Sequence, residues 1–346
     1  MKNVLLLSAY RSDSHAVWSD WLQRNINGVE WQALELPGRY FAWRIRGNPL
    51  SWLDVIGAEP PDLVLATSMV DLATIKGLNR QLTEAPAWYY FHENQFAYPM
   101  SEHQVRSIEP RMVQLYGALA ADRLLFNSRF NRDSFLDGVD ELLGLMPDGI
   151  PERVRERLAP RCEVLPVPVE PVHPSEQRDL RLIVWNHRWE YDKAPEVFSK
   201  AMIALAESGV EFRLALLGKR PRTVPESLAR LRHALPDRII ADGHLPPDQY
   251  QHLLGRAGVA VSTAVHEFQG ISMLEAASAG VRPLVPDALC YPEQYPARYR
   301  YPTGDIDALT ARLRQWLTEG PPPPCTVDQW LASATVGGWL GAFETL

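Results

Sequence analysis

Short apolar runs recur along the chain, each followed by a stretch with helical spacing. Asn3–Ser8 reads as a buried strand, and Val17, Trp18, Trp21 and Leu22 then mark one face of a helix over Ala16–Asn25. Asp62–Ala66, Trp88–Phe91 and Arg123–Asn127 are further short apolar runs, separated by helical or irregular stretches such as Met112–Ala121. Continuous apolar strands alternating with helices belong to parallel sheets covered on both faces. A second series follows: strand Arg181–Trp185, helix Pro195–Glu207, strand Phe212–Leu217, helix Val224–Ala234, strand Ile239–Ala241, helix Pro247–Gly255, strand Val259–Ser262, helix Ser272–Ala279 and strand Pro283–Val285. Between the two series Pro166, Pro168, Pro171 and Pro174 oppose regular pairing and favour an extended spacer. The predicted domains are 1–168 and 169–325. The segment 326–346, with Trp330, Leu331, Trp339, Leu340 and Phe343, is predicted to be a terminal helix that packs back on the first domain.

Two domains suit a chain of 346 residues. With 46% hydrophobic and 22% charged residues it has the balance of a soluble protein with a packed core, and no apolar run is long enough for a signal h-region or a membrane span. A cytoplasmic location is the expectation. Cys162, Cys290 and Cys325 are odd in number and far apart, against a disulfide framework or a cysteine zinc site. A net charge of −7 with no basic half gives no bulk signal for nucleic acid.

The candidate chemistry gathers where strands of the second series end. In His266–Ala276 a strand gives way to a Gly turn and then a helix, and Glu267 and Glu275 stand eight residues apart. Both carboxylates can face a ligand lying across the helix N-terminus, where they would accept from paired hydroxyls such as those of sugars and ribose. The backbone amides of Phe268, Gln269 and Gly270 are candidate donors to oxygens or phosphate. An equally plain reading makes Glu267 a helix cap and leaves Glu275 solvated. Arg188 and Lys193 follow the first strand of the second series, where two cations suit a diphosphate, or else pair with Glu190 and Asp192 as a surface network. Gly218 and the Gly243-His244 turn end two further strands and are candidate frames for a nucleotide base, though glycine there is commonly turn chemistry.

Together these residues resemble the donor half of the retaining GT-B glycosyltransferases of family four. The resemblance implies that Glu267 contacts the transferred sugar, Glu275 holds the ribose, and Arg188 and Lys193 grip the diphosphate. Tyr89-Tyr90-Phe91-His92-Glu93-Asn94-Gln95-Phe96-Ala97-Tyr98-Pro99 is similar to the matching segment of the tRNA-queuosine mannosyltransferases, as are Ser14-His15, Leu36-Pro37 with Trp43-Arg44, Phe126-Asn127-Ser128 with Phe130-Asn131, Pro147-Asp148 and Tyr291-Pro292-Glu293. The chain departs from that pattern at Tyr10–His15, which contains none of the glycines that animal members carry before Ser-His.

The resemblance implies an α/β fold of two Rossmann-like domains facing an interdomain cleft. It further implies GDP-mannose as donor and the cyclopentene-diol of queuosine at the wobble position of an aspartate tRNA as acceptor. Ser14, His15, Asn94 and Gln95 would then lie on the acceptor side. Arg39–Arg46 interleaves cations with Tyr40, Phe41 and Trp43, a composition that grips phosphates and stacks on splayed bases, so Arg39, Trp43, Arg44 and Arg46 are candidate RNA contacts. The same segment also reads as a core piece with Phe41 and Trp43 buried and solvated arginines. His92 follows a strand and precedes a turn, a place from which an imidazole can bond a hydroxyl or the transferred sugar, and histidine recurs at this place among similar transferases. No His/Cys/carboxylate spacing marks a metal site, so no catalytic metal, other cofactor, membrane contact or protein partner is expected. The alternatives are a family-four enzyme using another nucleotide sugar, or another acceptor such as a small metabolite or lipid-linked glycan, and a non-catalytic nucleotide- or RNA-binding module. A dinucleotide oxidoreductase is disfavoured, because neither first strand leads into G-x-G-x-x-G.

Overall fold

The short apolar runs become the interior strands of two parallel sheets in the computed structural model, which describes residues 1–98, 107–221 and 223–346. Contacts divide the chain into one unit of residues 1–168 and 335–346 and another of residues 169–334. Pro99, the last residue of the aromatic segment, lies outside the described residues.

In the first unit the elements run β1 (Lys2–Arg11), α1 (Asp13–Asn25), β2 (Val29–Pro37), α2 (Phe41–Ser51), β3 (Leu63–Thr67), α3 (Leu72–Leu78), β4 (Ala87–Phe91), α4 (Glu109–Ala120), β5 (Arg123–Phe126), α5 (Arg129–Gly144), α6 (Val154–Leu158) and β6 (Cys162–Val164). The sheet order is β2-β1-β3-β4-β5-β6, parallel throughout. Every residue of β3 and β4 is buried. β2, by contrast, is an edge strand in which no residue is fully buried, and it carries no apolar run to mark it in the sequence. The order reverses between β1 and β3, so the loops leaving β1, β3 and β4 crowd one sheet edge.

The second unit runs β7 (Asp179–Trp185), α7 (Pro195–Glu207), β8 (Arg213–Leu216), α8 (Glu226–Ala234), β9 (Ile239–Asp242), α9 (Pro247–Arg256), β10 (Ala257–Val261), α10 (Ile271–Ser278), β11 (Arg282–Pro286), α11 (Tyr291–Gln294), β12 (Arg300–Tyr301) and α12 (Ile306–Glu319). Its sheet order, β12-β11-β10-β7-β8-β9, places β10 beside β7 and makes their loops neighbours at the carboxyl edge.

Three boundaries differ from the sequence reading. The first helix begins at Asp13 rather than Ala16, because extended Ser12 takes the N-cap position and Asp13 suits the helix dipole; Ser14 and His15 therefore sit in a helical turn. The Arg39–Arg46 segment enters a helix at Phe41 through Tyr40, whose φ of 57° makes a left-handed corner. The terminal helix, α13 (Ala332–Glu344), starts later than 326, since Asp328–Trp330 forms a short turn and Leu331 bridges Val169. Trp339 of α13 is fully buried in the first unit, with ring centroids 5.9 Å from Trp18 and 5.3 Å from Tyr90, and its Nε1 donates to the Pro166 carbonyl at 3.0 Å.

Candidate active site

At the carboxyl edge of the second sheet the loops after β7 and β10 are locked together. The amides of Val265 and His266 donate to the Asp192 carbonyl at 3.0 and 3.2 Å, and Thr263 Oγ1 donates to the Lys193 and Ala194 carbonyls at 2.8 and 3.1 Å. Ala194 has φ 43°, a conformation costly for a residue with a Cβ, and these bonds hold it there at the N-cap of α7. The consequence is a fixed position for Lys193, only 7% exposed, whose Nζ donates to the His266 carbonyl at 2.8 Å and to Glu267 Oε2 at 3.1 Å and lies 3.3 Å from Asp192.

Glu267 is held from both sides. Its Oε1 accepts from the Phe268 amide at 3.1 Å, and the Gly270 amide also donates to the carboxylate. Gly270 takes φ 66°, where a glycine is needed. Burial, the largest single influence, opposes the charge on Glu267, but the Lys193 ammonium, the His187 ring and the hydrogen bonds from Lys193 and the Gly270 amide together outweigh it and hold the carboxyl at about 2. The anion is permanent at working pH. The expectation that the amides of Phe268 and Gly270 await a ligand is thus corrected: Glu267 uses them. The side chains of Phe268 and Gln269 are buried.

Arg188 lies 3.0 Å from Glu190 and 3.7 Å from Asp192, with its side chain about half exposed, so the surface network is real. Lys193 pairs inward instead. Gly218 has a packing reason for being glycine, because a Cβ there would stand 1.4 Å from the His187 carbonyl oxygen. That close approach draws the loops after β7 and β8 together, so a base need not be invoked to explain Gly218. His244 is exposed, beyond Gly243 at φ 138°.

Glu275 projects from α10, where Tyr250 Oη donates to its Oε2 at 2.8 Å. Burial raises the Glu275 carboxyl above its ordinary value against that hydrogen bond. Asn186 Nδ2 in turn donates to Tyr250 Oη at 3.2 Å and to the Ser272 carbonyl at 2.8 Å. Neither Tyr250 nor Asn186 stood out in the sequence, since a tyrosine in a polar helix carries no motif.

In the first unit His15 and His92 stack at 4.0 Å between centroids with an interplanar angle of 19°, and Trp18 and Tyr90 meet the edge or face of His92. Burial lowers His15 to about 4 and puts His92 well below its ordinary value, so both rings are neutral. Nδ1 of His15 and Nε2 of His92 have no hydrogen-bond partner among the described residues, although both rings are more than nine-tenths buried. Asn94 does not serve an acceptor: fully buried, it donates to Asn131 and Ser134 and accepts from the amides of Phe96 and Ala97. Gln95 is half-buried with its amide bonded to Gln114, and Ser14 is half-buried on α1.

Trp43 is 53% exposed and Tyr40 70%, while Phe41 packs against the core; the reading that buries Trp43 is therefore overturned. The Trp43 ring lies over Gly47, where a Cβ would come within 2.6 Å of it. Arg39 stacks on Tyr40 with 5.5 Å from Cζ to the ring centroid, and Arg44 is half-buried. Arg46 is already engaged, 2.6 Å from Asp71 and 3.7 Å from Glu109, which weakens it as a phosphate contact. Among the described residues no cluster of three or more His, Cys, Asp or Glu is placed to hold a metal ion.

Residues 3–169 match the family described as tRNA-queuosine alpha-mannosyltransferase N-terminal, and residues 171–324 match the glycosyl transferases group 1. The chain is 33% identical over 325 residues to a tRNA-queuosine alpha-mannosyltransferase of Drosophila melanogaster, covering 90% of this chain and 86% of the relative. Among solved structures it is similar to Anabaena HepE in complex with UDP and glucose, at a TM-score of 0.71 and 12% identity with both chains covered completely. It is also similar to the lipopolysaccharide outer core galactosyltransferase WaaB in its apo form, at a TM-score of 0.66 and 14% identity, again over both whole chains. At such identities the structures speak for the fold alone. Two six-stranded parallel sheets flanked by helices, and a sequence match running through both units, identify this chain as a GT-B glycosyltransferase that belongs to the tRNA-queuosine alpha-mannosyltransferase family.

Proposed function

We propose that the chain is a retaining mannosyltransferase that moves mannose from GDP-mannose to the cyclopentene-diol of queuosine at the wobble position of an aspartate tRNA, in the cytoplasm. The observation that carries this reading is the 33% identity that continues through acceptor-side and donor-side segments alike to a tRNA-queuosine alpha-mannosyltransferase. Among the described residues no helix is long and apolar enough to cross a membrane, which suits an acceptor in solution.

In this reading the donor lies at the amino end of α10. The bond from the anomeric carbon to the diphosphate oxygen breaks, and Arg188 stabilises the charge that develops on the departing diphosphate, while Lys193, its ammonium engaged by His266, Glu267 and Asp192, acts through Glu267. A queuosine hydroxyl forms the new bond on the face the diphosphate leaves, and its proton passes to a diphosphate oxygen, so no covalent enzyme intermediate is needed. Glu267, kept anionic by Lys193, orients the mannose and faces its developing positive charge, and Glu275 accepts from the ribose. The His92 ring nitrogen that has no partner among the described residues is assigned to a hydroxyl of the acceptor. No metal or other cofactor enters this scheme.

Incubation of purified protein with labelled GDP-mannose, EDTA and either queuosine-containing tRNA or matched tRNA lacking it is expected to label only the former. Label in neither, with GDP-mannose still bound, would send the acceptor elsewhere. The exposed Trp43 ring, backed by Gly47, is assigned to stacking on an unpaired base of the acceptor. Trp43→Ala is expected to raise KM for tRNA about tenfold, the loss of one stacked base, with kcat within about twofold. Steady-state kinetics with varied tRNA checks it, and an effect on kcat alone would remove Trp43 from the acceptor surface.

A further inference from the structure

We propose that Tyr250 is a positioning residue that presents Glu275 to the ribose hydroxyls of the bound nucleotide, and so sets the enzyme's preference for a ribonucleotide donor. The inference rests on the donor-site reading above and adds to it a residue that acts through Glu275 without touching the reacting atoms.

Three elements meet here. Asn186 lies just beyond β7, Tyr250 on α9, and Glu275 and Ser272 on α10. Asn186 has two amide hydrogens, and its Nδ2 bonds to the Ser272 carbonyl at 2.8 Å and to Tyr250 Oη at 3.2 Å. With Tyr250 Oη accepting from Asn186, its own proton goes to Glu275 Oε2, at 2.8 Å. The chain of donors therefore has one direction, Asn186 to Tyr250 to Glu275. Burial pushes the Tyr250 phenol well above its ordinary value, so it remains a donor throughout the working range.

The effect falls on the carboxylate. Oε2 is occupied on one side by the phenol, while Oε1 accepts no hydrogen bond among the described residues. A half-buried carboxylate with one oxygen pinned and the other open is prepared for adjacent hydroxyl donors, which a ribose 2′,3′-diol supplies. Without the phenol the same carboxylate would lose its fixed rotamer and one charge-assisted hydrogen bond. A site built to bond hydroxyls rejects an analogue lacking them, because its buried polar groups are then left unpaired.

The test compares dissociation constants for GDP, UDP and their 2′,3′-dideoxy forms, using the full chain as wild type, Tyr250→Phe, Glu275→Ala and the double variant. Wild type is expected to prefer the ribo form of its nucleotide by about tenfold or more. Tyr250→Phe is expected to weaken ribonucleotide binding about tenfold, with the dideoxy form changed by less than about twofold. In the Glu275→Ala background the same substitution should add nothing, as a thermodynamic cycle requires of a residue acting through Glu275. Equal weakening of ribo and dideoxy forms, an undiminished effect in the Glu275→Ala background, or no effect at all would each overturn the proposal. Should Tyr250→Phe not fold, Asn186→Ala is expected to show the same selective loss at about threefold, and an equal loss on both forms would overturn it. Wild type that binds no nucleoside diphosphate, or binds without ribose preference, defeats the donor-site reading and this inference with it. Preference for UDP over GDP defeats only the assignment of the base.

Discussion

Lys193→Met is expected to lower the unfolding free energy of the second unit by about 3–5 kcal/mol, because it leaves two carboxylates facing a site with their shared counter-charge removed. Asp192 and Glu267 lie 3.3 and 3.1 Å from Nζ, and the lysine is too deeply buried for water to replace it. Dependence on pH makes the prediction specific. In the wild type Glu267 titrates at about 2, below the value of about 4.3 for an unfolded glutamate, so its stabilising contribution is complete above about pH 4.5 and is lost as pH falls toward 2. Without Lys193 the burial that opposes ionisation acts with only the remaining hydrogen bonds against it. Glu267 then titrates far higher, the stabilisation on ionisation shrinks or reverses, and the variant's stability rises less, or falls, between pH 3 and 6, where the wild-type contribution of Glu267 rises to about pH 4.5 and then stays level. Denaturant midpoints for the second-unit transition across that range check it. A variant within about 1 kcal/mol of wild type at neutral pH would show that the pair is an ordinary surface contact.

Glu267→Gln is expected to reduce kcat by about 10²–10³ while nucleoside diphosphate affinity changes by less than about threefold. The amide keeps the shape and accepts a hydrogen bond from Lys193, but it removes the fixed negative charge that in the proposed scheme faces the developing cation. Asp192 remains beside Lys193, so the ammonium is not orphaned and the fold is retained. Single-turnover kinetics with saturating donor separates chemistry from binding. Normal turnover by the variant would mean that Glu267 is only the cap of its loop, a role its bonds to the Phe268 and Gly270 amides also describe.

The place of the candidate donor residues in the fold was readable because they follow strand ends. Arg188, Lys193 and Glu267 lie in the loops that follow β7 and β10, Glu275 lies on the helix that follows the β10 loop, and parallel strands deliver their loops to one edge. Edge strand β2 was not readable, because none of it is fully buried and polar residues interrupt its apolar ones, leaving no continuous run. Helix α2 was missed for a similar reason: Pro49 and Gly47 speak against a helix locally, yet Pro49 is buried and Gly47 makes room for Trp43.

Order along the chain determined the two α/β series, the proline-rich break between them, and the residue types available at each strand end, because hydrophobic period and turn chemistry are local. Which of those side chains are free and which are spent was decided only by tertiary structure. Arg46 meets Asp71, Asn94 meets Asn131, Lys193 meets Glu267 and Tyr250 meets Glu275 across 25 to 74 positions of chain. Hydrogen bonds and charges act over a few ångströms of space, and a linear pattern has no record of which distant residues the fold will bring within that reach.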